Sequence, residues 1–170
     1  MNIALVFPRW SPEYGLFGHF NKTGSLWPPL TLAYLAALAE REGHRVIIID
    51  AEAENLSIPD VIKRLKNENI DLIGISSTTP FFHTTKKMGD ALKISFPNIP
   101  VVLGGNHITY MKEEGFHPSF DYAFIGESEI SWVDFLRKLS KKEDVTSIKG
   151  ILYRKKEKLY FLEKPKDWKM

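Results

Sequence analysis

Three short apolar runs in this chain stop at the same chemistry. Asp71-Leu-Ile-Gly-Ile-Ser-Ser-Thr-Thr79 ends in four hydroxyl residues, and Ile99-Pro-Val-Val-Leu-Gly-Gly-Asn-His-Ile-Thr109 ends in two glycines and a polar pair. Asp121-Tyr-Ala-Phe-Ile-Gly-Glu-Ser-Glu129 ends in Gly126 followed by small and acidic residues. Apolar runs of this length bounded by turn residues read as buried strands. An open parallel sheet lines up the carboxyl ends of its strands along one edge, and ligands bind in the crevice outside that edge. For residues 99–109 taken alone, a tight strand-to-helix turn that needs one glycine explains the pattern equally well. The convergence of three such loops favours one binding site.

The other segments fit the same architecture. Residues 3–7 are a continuous apolar run ended by Pro8, as expected of a strand covered on both faces. Pro28 and Pro29 open a helix through Leu30, Ala33, Tyr34, Ala37 and Leu38 that Gly43 closes; it is apolar nearly all round, which predicts extensive burial. Val46-Ile-Ile-Ile49 is a second buried strand with Asp50 at its carboxyl end. Ser57 caps a helix carrying Ile58, Val61, Ile62 and Leu65. Phe81, Thr85, Met88 and Leu92 mark a third helix, a short one is expected at residues 109–114, and Ile130, Val133, Leu136 and Leu139 mark the last.

Five strands alternating with helices give a doubly wound α/β fold, a flavodoxin-like (Rossmann-like) parallel five-stranded sheet in the order 2-1-3-4-5. Residues 150–154 and 158–161 read as a C-terminal β-hairpin extending a sheet edge. Residues 1–162 are expected to form one domain, with residues 163–170 the start of a linker.

Composition removes several kinds of chemistry. The chain has no cysteine, which excludes disulfides, thiolate zinc sites, cysteine nucleophiles and cysteine-ligated iron–sulfur clusters. The net charge is +2 and the basic residues are spread out except at 138–142 and 154–158, so no nucleic-acid surface is expected. With no signal-peptide pattern and no apolar run near the roughly 20 residues of a membrane span, a cytoplasmic protein without a membrane partner is expected.

The position after the first strand, where a nucleotide-binding fold places G-x-G-x-x-G, holds Pro8-Arg-Trp10. A receiver domain's acceptor aspartate is replaced by Ser76 and Ser77. His19, His83, His107 and His117 lack ligand spacing, so no metal site and no catalytic residue is assigned. Only His107 stands out, through its place beside the two glycines. Residues 9–27 carry Trp10, Tyr14, Phe17, Phe20 and Trp27 without any regular period. Such a loop either covers a large apolar partner or packs on its own sheet. In the first case an exposed apolar patch centred on Trp10, Phe17, Phe20 and Trp27 is expected.

Five segments in series carry a resemblance: Pro28-Pro-Leu-Thr-Leu-Ala-Tyr-Leu-Ala36, Val46-Ile-Ile-Ile-Asp50, Gly74-Ile-Ser-Ser-Thr-Thr79, Val102-Leu-Gly-Gly-Asn-His-Ile-Thr109 and Ile125-Gly-Glu-Ser-Glu129. Together they resemble the N-terminal cobalamin-binding domain of cobalamin-dependent radical S-adenosylmethionine enzymes, over nearly the whole chain. Thr31, Asn106 and Ser128 depart from that pattern, standing where the family often has Gly, Pro and Gly.

The resemblance implies a cobalamin cofactor contacted by Asp50, Ser76, Ser77, Thr78, Gly104, Gly105, His107, Gly126, Glu127 and Glu129. Hydroxyls at Ser76, Ser77 and Thr78 suit the polar atoms of a nucleotide tail, and the glycine pair leaves room for it. The cofactor is expected base-off with no protein histidine on cobalt, because the Asp-x-His-x-x-Gly loop of corrinoid carriers is missing and His19 lies outside that spacing. The iron–sulfur cluster and S-adenosylmethionine are expected only in an absent downstream radical domain, the implied partner. No catalysis is expected from this chain alone; the parent's reaction would be methyl transfer or related radical chemistry. Two alternatives stay open: a ligand-free flavodoxin-like interaction domain, and a stand-alone corrinoid carrier of a methyltransferase.

Overall fold

A run of consecutive apolar residues in a strand must be covered on both faces, and β1 (Asn2–Phe7) meets this condition with Ile3, Ala4, Leu5 and Val6 all buried. The computed structural model describes residues 1–11, 28–156 and 158–163, so Phe17, Phe20, Trp27 and His19 lie outside the described residues. β1 pairs in parallel with β2 (Arg45–Asp50) on one side and β3 (Leu72–Ser76) on the other. β4 (Val101–Gly104) and β5 (Tyr122–Phe124) continue the parallel set, giving the expected order 2-1-3-4-5. β6 (Ile151–Lys155) and β7 (Lys158–Phe161) form the expected hairpin and add two antiparallel strands beyond β5, so the sheet is mixed and seven-stranded.

Helices cover both faces. α1 (Leu30–Arg41) and α5 (Glu129–Ser140) pack on the face formed by Ile3, Leu5, Leu72, Val102 and Phe124. α2 (Ile58–Lys66), α3 (Phe82–Ser95) and the short α4 (Asn106–Met111) pack on the other, against Ala4, Val6, Ile73, Ile75 and Leu103. Each fully buried leucine or isoleucine in these layers contributes about 1.5–3 kcal/mol. Ser57 starts α2 through a capping box: Asp60 N donates to Ser57 Oγ at 3.4 Å and Ser57 N to Asp60 Oδ2 at 3.0 Å.

Three details differ from the sequence expectation. α1 buries only the stripe of Leu32, Ala36 and Ala39, while Leu30 and Tyr34 are 71% and 53% exposed, because a single layer of contacts reaches only one face of a helix. The short helix begins at Asn106 and ends at Met111, followed by a 3₁₀ turn over Lys112–Gly115; the chain turns at Gly105 itself. α5 faces inward with Ser131, Trp132, Phe135 and Leu136, leaving Ile130 40% exposed. Phe124 on the short β5 explains the rotation, since it packs edge-on against both Trp132 (5.7 Å) and Phe135 (5.4 Å). Among the described residues no helix is long and apolar enough to cross a membrane.

At Gly89, α3 lies close against the segment before β5. A Cβ there would lie 2.5 Å from Ser119 Oγ and 3.0 Å from the Phe120 ring. Gly89→Ala should therefore cost about 1–3 kcal/mol of stability through overpacking, read as a lowered urea midpoint. An unchanged midpoint would mean that Ser119 and Phe120 can withdraw.

Candidate functional site

Backbone contacts draw the ends of β3 and β4 together. Ser77 N donates to Gly104 O (3.0 Å) and His107 N donates to Ser77 O (3.2 Å). Gly105 sits over the Ser77 peptide at φ +96°, where an added Cβ would overlap Ser77 O and lie 2.9 Å from Ser77 N. Only glycine fits both the left-handed backbone and the close approach. Thr109, one helical turn on, joins the third loop: its Oγ1 donates to Gly105 O (3.1 Å) and accepts from Gly126 N (3.0 Å).

Beside this clasp, on the α1 and α5 side of the sheet, lies a crevice of about 390 Å³, within the roughly 300–1,000 Å³ of small-molecule sites. Its floor is Leu5, Gly74, Val102 and Phe124; Leu32, Leu35 and Trp132 form walls. Trp132 Nε1 donates to Leu35 O at 3.0 Å, so the two wall helices are tied together. Leu5, Gly74 and Val102 are neighbours in register across three strands. With no side chain at Gly74, Leu5 leans into its place, where a Cβ would be 2.8 Å from Leu5 Cδ2, and the floor stays low.

The rim brings together most of the residues singled out in the sequence. Ser76, Thr78, Gly104, Gly105, Gly126, Glu127 and Glu129 all line the crevice, as do the three departures Thr31, Asn106 and Ser128. A Cβ built on Gly104 meets nothing within 4 Å, so Gly104 leaves bare backbone for a ligand group to lie against. Thr78 Oγ1 and Glu129 Oε2 are buried without a hydrogen-bond partner. Buried polar atoms are normally paired, and two orphans on one crevice fit a ligand with polar substituents, as a cobalamin tail has.

Ser77, Asp50 and His107 stand apart from it. Successive side chains alternate across a strand, so Ser77 turns to the opposite face from Ser76 and bonds Thr85 Oγ1 at 2.8 Å. Asp50 shapes the turn after β2, accepting from Ala53 N at 2.9 Å. The His107 ring stacks on Phe82 with centroids 3.7 Å apart, and its Nδ1 lies 3.3 Å from Thr79 Oγ1.

Gly74, Thr109 and Trp132 were not singled out from the sequence, although a glycine inside an apolar run and a threonine four residues after Gly105 are signals in it. Glu52 was also missed; its Oε2 accepts from Trp10 N (2.7 Å) and Ser11 N (2.9 Å) and fixes the start of the aromatic loop, where Trp10 stacks on Phe81 at 5.0 Å. Among the described residues no three His, Asp or Glu side chains form a metal-binding group.

The two glycines should separate in a stability measurement. Gly105→Ala should lose about 2–4 kcal/mol in urea denaturation from strained backbone and overlap with Ser77, whereas Gly104→Ala should stay within about 0.5 kcal/mol of the parent. Equal effects would break the distinction.

His107 predicts a pH dependence. Burial, reinforced by the nearby Lys86, lowers its pKa below the ordinary 6.5. The unfolded chain then holds the proton more tightly than the folded one. His107's contribution is full above about pH 6.5, declines as pH falls below it, and levels off once the folded-state imidazole is itself protonated. His44, lowered by burial and by the N-terminal amine, adds a loss of the same sign. His107→Gln should flatten the fall in stability between about pH 7 and pH 5 in denaturation curves; an unaltered slope would assign it to His44.

A family model described as the B12 binding domain matches residues 19–136. An uncharacterised methyltransferase of Pyrococcus horikoshii is 35% identical over 161 residues, covering 94% of this chain and 34% of the relative. The cytidylyl-2-hydroxyethylphosphonate methyltransferase of Streptomyces wedmorensis is 27% identical over 150 residues, covering 76% of this chain and 28% of the relative. The chain thus spans about a third or less of the length of these curated relatives. In fold it is similar to the radical S-adenosylmethionine methyltransferase TsrM of Kitasatospora setae, solved with its tryptophan substrate and an S-adenosylmethionine analogue bound, with a TM-score of 0.79 at 16% identity over 95% of this chain and 30% of the other. A second TsrM structure, with cobalamin and an iron–sulfur cluster bound, gives a TM-score of 0.78 over 95% of this chain and 28% of the other. The resemblance drawn from the five segments holds, and the chain belongs to the B12-binding domain family.

Proposed function

We propose that this chain binds cobalamin with its nucleotide tail in the crevice, and presents the corrin to a radical S-adenosylmethionine domain of a longer polypeptide for methyl transfer or a related radical reaction. The observation that carries the reading is the crevice at the carboxyl edge, opened by Gly104 and floored low at Gly74. Its volume suits a flat base and a sugar and not a whole macrocycle, which leaves the corrin outside at the edge of the sheet.

Leu5, Val102 and Phe124 offer the apolar surface on which a flat base lies, and Ser76 and Thr78 offer hydroxyls at the rim. When bound, cobalamin supplies a cobalt centre able to carry a methyl group. With Leu5, Val102, Phe124, Ser76 and Thr78 holding the tail, the cofactor would be bound base-off, with no histidine of this chain as its ligand. The inward turn of His107 against Phe82 supports this part of the reading. A cytoplasmic setting without nucleic-acid or membrane partners belongs to the same proposal. The exposed apolar pair Leu30 and Tyr34 on α1 favours, as a second reading, a domain that docks a partner without a ligand.

Titration with hydroxocobalamin followed by visible absorption separates the two. The chain should bind saturably, with the spectral change of a cobalt that has lost its nitrogen base. Gly104→Val, which pushes a side chain into the crevice, should weaken binding about tenfold or more with an unchanged melting temperature. A folded wild-type chain that leaves the spectrum unaltered would sink the cobalamin reading in favour of the second.

A further inference from the structure

α4 forms one side of the crevice, through Asn106, Thr109 and Tyr110, and little holds it there. Of its six residues only His107 and Ile108 are buried, and Tyr110 is 79% exposed. His107 N donates to Ser77 O at its start, Gly126 N donates to Thr109 Oγ1, and the His107 ring rests on Phe82. Two features of this seat cost free energy. Lys112, whose N–H ends α4 by donating to Ile108 O, lies at φ +46° and ψ −122°. Those angles belong to the first central position of a type II′ turn, which Gly, Asn and Asp dominate. A lysine there is strained, and such strain persists only where the surroundings impose it. Here they do: Gly115 comes so close to α4 that an added Cβ would lie 2.8 Å from Met111 Cβ and 3.0 Å from His107 Nε2. Lys112 Nζ is drawn the other way, 6.0 Å from the centre of the Phe161 ring on β7. The second cost is His107 Nε2, buried without a hydrogen-bond partner. A strained residue and an unmet buried nitrogen each cost an amount comparable with what burying Ile108 returns. Lifting α4 would relax the lysine and give the imidazole to water.

We propose that α4 is a flap on the crevice that swings about Lys112, its closed position kept only weakly favourable by the strain at that residue and by the unmet nitrogen of His107. The motion is a property of the chain itself and does not depend on what the crevice holds. Segments with few buried side chains open on their own, ahead of the core. If Lys112 were only a tight connection in a rigid rim, α4 would open together with the sheet.

Amide hydrogen exchange tests the flap. The N–H groups of His107 and Lys112, bonded to Ser77 O and Ile108 O, should exchange at least about a hundredfold faster than that of Ile73 in β3. Lys112→Gly removes the strain and Lys112→Ala keeps it, while both lose the contact with Phe161. The α4 amides should therefore exchange about threefold or more slower in the glycine variant than in the alanine variant. Gly115→Ala, which wedges α4 away, should speed them about tenfold or more with the Ile73 amide within about twofold. The chain has no cysteine, so Val102→Cys places a single thiol on the crevice floor. Its reaction with a small disulfide reagent should follow the same order in these backgrounds, and Leu5→Cys on the same floor guards against a variant that does not fold. Glycine and alanine at position 112 that leave α4 exchanging alike would overturn the hinge. α4 amides that exchange in step with Ile73 would show a rigid rim and overturn the flap. A floor thiol that reacts at one rate in every background would overturn the flap's part in opening the crevice.

Discussion

The contact on which the rest of the site depends is the passage of Gly105 over the peptide of Ser77. The carboxyl ends of β3 and β4 approach closely enough for Ser77 N to reach Gly104 O and His107 N to reach Ser77 O. Any side chain at position 105 would run into that peptide. The close passage lets α4 begin at once, which brings Thr109 round to bridge Gly105 and Gly126. One residue without a Cβ thus sets the spacing of three loops, and the crevice mouth is the gap that spacing leaves. Gly104 and Gly105, adjacent in sequence, have different duties: one closes the structure and the other leaves it open.

Side-chain carboxylates satisfy strand-end backbone groups at the amino edge of the sheet. At the amino edge, the aspartate just before β3 and the one just before β5 accept from the neighbouring strand: Asn2 N donates to Asp71 Oδ2 and Val101 N to Asp121 Oδ2, both at 2.7 Å. Lys93 completes the second cluster, 3.1 Å from Asp121 Oδ2. Beside them, His44 Nε2 just before β2 is buried without a hydrogen-bond partner. At the carboxyl edge, Thr78 and Glu129 keep buried atoms without partners.

The strand order, the helical layers and the hairpin were legible in the sequence because each rests on local patterning: continuous apolar runs, a serine cap at Ser57, and turn residues between short β segments. So was the part of the sheet edge where the crevice lies, since Ser76, Thr78, Gly104, Gly126 and Glu129 mark the ends of strands. What could not be read was which way side chains point once packing decides. Ser76 and Ser77 look alike in a row of hydroxyls, yet pleating sends them to opposite faces. Periodicity alone favoured Ile130 as a core residue of α5, but the rings of Phe124, Trp132 and Phe135 fit one another better and turned the helix. In α1 the exposed Leu30 and Tyr34 are apolar, as are the buried Leu32, Ala36 and Ala39, so composition does not tell its two faces apart.

The C-terminal hairpin has a directional consequence. β5 runs toward the carboxyl edge, β6 runs back, and β7 runs toward that edge again, where Gly150 N donates to Leu162 O at 2.7 Å beside the end of β5. Two reversals restore the heading. With strands spaced about 4.8 Å apart, the backbone at Leu162 emerges roughly 10 Å to the side of β5, on the rim that holds the crevice and not on the opposite one. A single added strand would have released it at the amino edge, a full strand length away. With its two strands the hairpin therefore keeps the parity of the sheet, and Leu162 lies on the side that holds the crevice.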